Sequence, residues 1–185
     1  MVLVTKVKSP IISNREKIMK TVNKYPGLRF HQIKTHTNIA NGTVQHHLEQ
    51  LVKLKTIQVN HQKHIPRYYA IDMENFNQTI LLRLRQNTPS KIIKSLLKNE
   101  CQSFSQMLKF AQKSPGTVSI YKNMLLRDKI IIGDTNSCDC SKNIAENKIK
   151  YRLTDPDKIR LLVKEYGKSS LKRSVDNLSD IFLSL

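Results

Sequence analysis

Basic side chains are the most abundant chemically active groups in this sequence. Its 185 residues include 32 Lys and Arg against 14 Asp and Glu, which gives a formal net charge of +18. The excess is spread along the chain, since residues 1–74 hold 12 basic and 4 acidic groups and the remainder holds 20 and 10. Such a charge attracts polyanions, because each neutralised phosphate releases condensed counterions. It favours a nucleic-acid partner over basicity that only keeps the protein in solution.

Groups able to bind a metal or attack a substrate do not form a recognisable site. All six histidines precede residue 65, and no Cys or carboxylate accompanies them at ligand spacing. Cys138 and Cys140 form a C-x-C without a second pair, so we expect free loop thiols, and the odd total with Cys101 suits a reducing compartment. There is no Gly-rich phosphate loop, no H-E-x-x-H and no nucleophile with a base partner. The sequence predicts no metal, no cofactor and no catalytic residue.

An internal repeat must position the basic groups. The Gly-Thr-Val at 42–44 returns at 116–118, and this offset of 74 holds without gaps from 14–59 to 88–133. A fixed period indicates that one supersecondary unit is used twice.

The first copy predicts three helices followed by a hairpin. Ser13-x-x-Glu16 is a capping box for the first helix, and a short second helix follows around Phe30. The third, from Gly42 to about Lys55, buries an apolar stripe formed by Val44, Leu48 and Leu51. The period then becomes alternating, which predicts strands at 57–61 and 67–71 around a turn at 62–66. This is the layout of a winged helix-turn-helix.

The second copy has the same order. Its helix starts are marked by Thr88-Pro89, Ser103-x-x-Gln106 and Ser114-Pro115. The third helix is predicted to bury Val118, Tyr121 and Leu125, with strands at 130–132 and 150–154. The return strand is offset by 83 rather than 74, so the second wing is longer and carries Cys138 and Cys140.

The predicted fold is therefore mostly α with small β-hairpin wings, arranged as two tandem winged helix-turn-helix units plus C-terminal helices. Its divisions are a first unit at 1–73, a connecting helix at 74–87, a second unit at 88–155 and C-terminal helices at 156–185 for packing or dimerisation. An interruption at 167–169 is predicted to precede a final amphipathic helix, whose apolar residues are Leu171, Val175, Leu178, Ile181 and Phe182.

The first copy resembles a known group of proteins. The residues that carry the resemblance are the third-helix segment 42–51, Gly-Thr-Val-Gln-His-His-Leu-Glu-Gln-Leu, the strand entry Thr56-Ile57, and Arg-Tyr-Tyr at 67–69, which returns from a wing. In these residues the first copy resembles archaeal winged helix-turn-helix transcriptional regulators of the broad MarR/ArsR type. With residues 151–156 and the C-terminal helix, the chain resembles the tandem version over about residues 14 to 184. The resemblance implies a third helix in the major groove and a wing on phosphates or a minor groove.

Carried over residue by residue, the resemblance nominates DNA contacts in the first copy. Base contacts fall on Thr43, Gln45, His46 and Gln50, and the Gln45 amide suits a bidentate contact with adenine. Phosphate or wing contacts fall on Arg29, His31, Lys34, Asn41, Lys53, His61, Lys63, His64 and Arg67. The alternative for each is a solvated position without contact. His47 flanks the buried stripe where the second copy has Tyr121, which favours packing over base reading.

The second copy departs from the first where contact would be made. Ser119-Ile120 replaces Gln45-His46, and the longer wing carries Asp134, Asp139 and Glu146. Weaker DNA contacts fall on Thr117, Ser119, Lys122 and Asn123. Either this copy binds DNA weakly, or it has turned to protein contact through Ile120.

These patterns predict a sequence-specific double-stranded DNA-binding transcriptional regulator that uses mainly its first copy. We expect a homodimer located in the cytoplasm at the nucleoid, since no apolar run or secretory signal is present. The alternative is a tandem winged-helix adaptor that docks transcription or chromosome machinery. The charge also permits RNA, although aromatic residues, at 6%, offer no platform for single strands. The operator and any small-molecule effector stay open.

Overall fold

Helices make up most of the structure. The computed structural model describes residues 12–62, 64–134 and 149–171, without the side chains of 62 and 167–171, and this part also contains two small antiparallel sheets. The mostly helical fold with small sheets is as predicted. The chain divides into a first unit, residues 1–73, and a second unit, residues 74–185.

The first unit has three helices and a hairpin. They are α1 (Asn14–Lys24), α2 (Phe30–Thr37), α3 (Asn41–Lys53), β1 (Ile57–Gln62) and β2 (Ile65–Ala70). The predicted capping box is present, since the Glu16 N–H donates to Ser13 Oγ and the Ser13 N–H donates to Glu16 Oε2. The core joins one face of each helix to the hairpin, and its fully buried members include Ile18, Val22, Ile33, Val44, Leu48, Leu51 and Ile57.

The hairpin has a tighter turn than the sequence predicts. Ile57 pairs with Ala70 and Gln62 with Ile65, so only residues 63 and 64 connect the strands rather than 62–66. His64 has a φ of 65°, the left-handed conformation that two-residue hairpin turns require. The prediction failed because Pro66 suggested a loop, whereas it occupies a strand position opposite His61.

A short connection between α1 and α2 joins the sheet, which the sequence does not predict. Gly27 has a φ of 81°, and its N–H donates to the Tyr68 carbonyl at 2.7 Å. Leu28 then bridges Tyr68 as an isolated antiparallel pair. The helical core and the hairpin are thereby tied together through backbone hydrogen bonds.

The second unit starts with an additional helix. Its elements are α4 (Asn75–Arg85), α5 (Asn87–Lys98), β3 (Gln102–Ser103), α6 (Phe104–Ala111), α7 (Pro115–Arg127), β4 (Ile131–Asp134), β5 (Lys150–Leu153) and α8 (Pro156–Leu171). The strands form a sheet in the order β3-β5-β4. Helix α4 packs against α5 and α8, and Arg83 Nε on α4 donates to Asp128 Oδ2 after α7 at 2.6 Å.

Helix ends coincide in the two units at the offset of 74. Helices α2 and α6 both end in a left-handed residue, Asn38 (φ 54°) and Gln112 (φ 53°). Helices α3 and α7 have 13 residues each, and left-handed Lys55 and Lys129 follow their ends. These matched ends fix the same rotational phase in α3 and α7, so residues 74 apart occupy the same helical face.

Several local predictions for the second unit are wrong. Gln86, rather than Thr88, caps α5, because α4 ends at Arg85 and the next helix starts directly after the shared cap. Pro89 therefore lies in the first turn, where its missing N–H costs no helical hydrogen bond. Tyr121 is half-buried rather than buried, and α8 continues through Gly167 to Leu171 without the predicted interruption. The rest of the predicted final helix, residues 172–185, lies outside the described residues.

Cys101 is disulfide-bonded, which is at odds with the reducing compartment that the odd cysteine count suggested. Cys138 and Cys140 lie outside the described residues.

Candidate nucleic-acid interface

Two helices joined by a three-residue turn form the centre of the candidate interface. Helix α2 ends at Thr37 and α3 begins at Asn41, and the two helices pack against each other. Left-handed Asn38 reverses the chain, and its N–H donates to the Lys34 carbonyl. The apolar residues of α3 are thereby directed into the core, which leaves its opposite face in solvent.

The exposed face of α3 carries the polar residues that the sequence nominates for base contact. Gln45, His46 and Gln50 are exposed, and exposed Glu49 lies between them along the helix. Val44 and Leu48, on the opposite side, are 0% and 2% exposed. The structure therefore brings three nominated side chains to one solvent-facing surface, whereas Thr43, the fourth, is half-buried near the start of the helix.

Two contacts order side chains on this surface. Gln45 Nε2 donates to Glu49 Oε1 at 3.0 Å, which leaves the Gln45 carbonyl oxygen as an acceptor. The His46 and His47 rings meet edge to face with centroids 5.5 Å apart. Burial raises the pKa of the half-buried Tyr68 phenol, and the Glu49 carboxylate raises it further, so Glu49 also acts on the sheet beneath the helix.

Exposed groups for phosphate contact lie on three elements of the first unit. His31 and Lys34 are exposed on α2, Asn41 is exposed at the start of α3, and Lys53 is exposed at its end. His61 and His64 are exposed on the hairpin, and Lys63 lies outside the described residues. These residues precede and follow the nominated residues of α3 along the chain, and their side chains are already in solvent.

Two nominated cations are structural instead. Arg67 is 5% exposed, and its Nη1 donates to the Gly27 carbonyl at 2.8 Å. Arg29 is 8% exposed at the start of α2, where its N–H donates to Gln32 Oε1. Burial of both side chains argues against phosphate contact, and the Gly27 carbonyl holds the Arg67 guanidinium inside the first unit.

Replacing Arg67 by Met should lower stability without changing the electrostatics of binding. The buried Gly27 carbonyl loses a charged donor, which costs about 2 kcal/mol in the free energy of unfolding. The slope of log affinity against log salt should stay unchanged, whereas Lys53→Ala, the exposed control, should make it shallower by about one unit. Denaturation and DNA titrations measure both quantities. A shallower slope for Arg67→Met would return this residue to the phosphate contacts.

The nominated residues of the second unit are less available. Thr117 is half-buried with its hydroxyl 2.9 Å from Ser114 Oγ, and Ser119 is half-buried. Lys122 Nζ lies 5.3 Å from the Tyr151 ring centroid and 5.6 Å from that of Phe104. Asn123 alone among these four is exposed.

Lys122 occupies the position equivalent to Leu48, a core residue of the first unit. The Lys122 ammonium group lies 3.4 Å from the Tyr151 hydroxyl, and the side chain extends along the Phe104 and Tyr151 rings. This contact explains why Lys122 is half-buried, and it argues against a free phosphate contact.

Two features of the site were not predicted from the sequence. The i,i+4 spacing of Gln45 and Glu49 is visible in the sequence and predicts their hydrogen bond. Alternation along β2 places Arg67 on the same face as Tyr69 and could have indicated its burial, but its charge suggested an exposed position.

Together these elements define a helix-turn-helix domain, a class in which DNA binding is the common role, and the following hairpin is compatible with a winged helix. Residues 12–81, which are 70 of the 185, match a family model described as an N-terminal HTH domain. A comparison with curated proteins finds no match.

Within 12–62, 64–134 and 149–171, no helix is long and apolar enough to cross a membrane. The same part of the chain contains no group of three or more His, Cys, Asp or Glu side chains placed to hold a metal ion.

Proposed function

We propose that this chain is a sequence-specific double-stranded DNA-binding transcriptional regulator. The proposal includes two tandem winged helix-turn-helix units, with DNA contacted mainly by α3 and the β1–β2 hairpin of the first unit. The observation that carries it is the exposed polar face of α3, presented immediately after the turn from α2. The family match at residues 12–81 supports the helix-turn-helix class of this unit.

The composition of α3 suits insertion into the major groove. An α-helix fits this groove, whose base edges present a distinct donor and acceptor pattern for each base pair. Gln45 and Gln50 can each donate and accept, and the Gln45 amide has the geometry for adenine. The Gln45 amide lies along the helix, where its Nε2 donates to Glu49 Oε1 at 3.0 Å, and its second N–H and its carbonyl oxygen are left for a base.

Charge around α3 supports approach to phosphate. No Asp or Glu occurs between Glu16 and Glu49, a stretch that contains α2 and most of α3. Lys34 and Lys53 are exposed on the two helices, and His61 and His64 are exposed on the hairpin. Backbone N–H groups at the start of α3, near Asn41, add a partial positive charge there.

The tandem organisation rests on the shared element order and helix ends of the two units. We also propose a homodimer, which would double the phosphate contacts and require an operator with two-fold symmetry. Sedimentation of the protein with selected duplexes tests this, since a dimer should bind symmetric half-sites one helical turn or a multiple apart.

Removing the polar groups of α3 should affect specific binding only. Gln45→Ala should weaken affinity for a duplex selected from a random library by about tenfold, because a bidentate contact with a base is lost. His46→Ala should act in the same direction. Affinity for random duplex should change by less than about twofold, because that binding depends on phosphate.

The matched control is Asn23→Ala, which removes an exposed amide on α1. Fluorescence anisotropy with both duplexes measures all three variants. Equal losses on selected and random duplexes would exclude Gln45 and His46 from base reading.

A further inference from the structure

Ile120 is the most exposed large apolar side chain of α7, with 68% of its surface in solvent. It lies in a row of exposed residues that runs along one face of the helix through Gly116, Asn123 and Arg127. The other members of this row are polar, charged or without a side chain. Ile120 is therefore a single apolar group on an otherwise hydrophilic face.

The matched ends of α3 and α7 place Ile120 where the first unit has His46. Val118 and Leu125 are fully buried, as are Val44 and Leu51 at the equivalent positions of α3. After each helix, an N–H donates to the carbonyl five residues earlier, from Thr56 to Leu51 and from Ile130 to Leu125. The outward face of α7 is thus the face that α3 uses for His46.

The electrostatic surroundings of Ile120 favour an anionic partner. No Asp or Glu occurs between Glu100 and Asp128, a stretch that includes both α6 and α7. Lys109, Lys113 and Arg127 are exposed within it. A protein-docking surface, in contrast, needs a contiguous apolar patch.

Phe110, with 42% exposure, lies on α6 rather than on the face of α7 that carries Ile120. The equivalent residue of the first unit is His36, which stacks on Tyr25 at the end of α1, 4.8 Å away, rather than on α3.

We infer that Ile120 is a base-reading residue that contacts the 5-methyl group of thymine in the major groove. This inference rests on the proposed function and extends base reading to α7. The thymine methyl is the apolar group that the major groove exposes, and an aliphatic side chain recognises it by excluding water. A hydrophobic residue thereby adds specificity at a position where a hydrogen-bonding side chain is missing.

Deoxyuridine, which differs from thymidine only by this methyl group, tests the inference. Duplexes are selected from random libraries prepared with either thymidine or deoxyuridine, using the full chain and its Ile120→Ala, Ile120→Val and His46→Ala variants. The wild type should prefer thymine at a position that shows no preference in the deoxyuridine library. In the thymidine library, Ile120→Ala should lose that preference and Ile120→Val should keep it. His46→Ala should also keep it, but should lose the base preference at a different position of the motif.

Single replacements in the selected duplex give the magnitude. One thymidine-to-deoxyuridine change should weaken wild-type binding about fourfold, the value of one buried methyl group. The same change should leave Ile120→Ala binding unaffected. Because Ile120 is exposed, the variant should keep its fold, which circular dichroism verifies.

The outcomes separate this inference from the proposed function. Two results would overturn thymine reading by Ile120: selection of the same motif from both libraries, or an Ile120→Ala motif identical to that of the wild type. Either result would favour protein contact at Ile120, and DNA regulation by α3 would stand. Failure of the wild type to select any duplex would overturn both.

Discussion

Raising the salt concentration from about 50 to about 200 mM should weaken binding to duplex DNA by about 10²- to 10³-fold, as expected when about four to six phosphates are neutralised. Exposed cations for these contacts include Lys34, Lys53, Lys109, Lys113 and Arg127. Each neutralised phosphate releases condensed counterions, so the slope of log affinity against log salt should lie near about −4 to −5. Titration of a labelled random duplex at several salt concentrations measures this slope.

Controls make the salt result specific. Lys53→Ala should make the slope shallower by about one unit, because it removes one exposed phosphate contact. A double-stranded RNA of the same sequence should bind more weakly, since its deep, narrow major groove does not admit α3. Affinity that is independent of salt would contradict DNA binding by this chain, and stronger binding to RNA would transfer the proposal to that class.

Replacing Gly27 by Ala should lower the free energy of unfolding of the first unit by about 2 to 4 kcal/mol, which combines left-handed backbone strain with overpacking. Gly27 has a φ of 81°, and an added Cβ would lie 3.0 Å from Tyr69 Cε1 and 3.1 Å from its hydroxyl oxygen. Tyr69 is 1% exposed and cannot withdraw into solvent. The same backbone also bonds Tyr68 and Arg67, so the strain acts where the sheet meets the helices.

Gly42→Ala is the matched control for this effect. An added Cβ at Gly42 meets no atom within 4 Å, and the residue lies within α3, so the change should be neutral or stabilising by up to about 1 kcal/mol. Urea denaturation gives the free energies, and hydrogen exchange of peptides from each unit locates the loss. A loss below about 0.5 kcal/mol for Gly27→Ala, or exchange that accelerates equally in both units, would contradict this account.

Local signals in the sequence were sufficient for most of the helices. The capping boxes at Ser13 and Ser103 and the Ser114-Pro115 start were correct, because each depends on side chains within one turn. Pairings of short segments that are distant in the sequence were not predicted. The pairing of Leu28 with Tyr68, and of Gln102 with Tyr151, needs residues that meet only after the helices pack.

The candidate site shows the same division. Helical phase predicted the exposed face of α3, since Val44, Leu48 and Leu51 determine which side is buried. The resemblance nominated Arg29 and Arg67 as cations near the DNA, but a cation on an alternating strand can be directed inward when a carbonyl such as that of Gly27 accepts from it. Residue type therefore identified potential phosphate contacts, and burial decided which of them reach solvent.

The position of Lys122 limits how far the two units can serve as interchangeable modules. Transplanting α7 whole into the first unit would place an ammonium group where Leu48, 2% exposed, fills the core, without the Phe104 and Tyr151 rings on which Lys122 rests. A graft of α3 into the second unit would leave those rings without their cation. New DNA specificities should therefore be engineered by exchanging outward-facing residues alone, with positions 48 and 122 kept from the host unit.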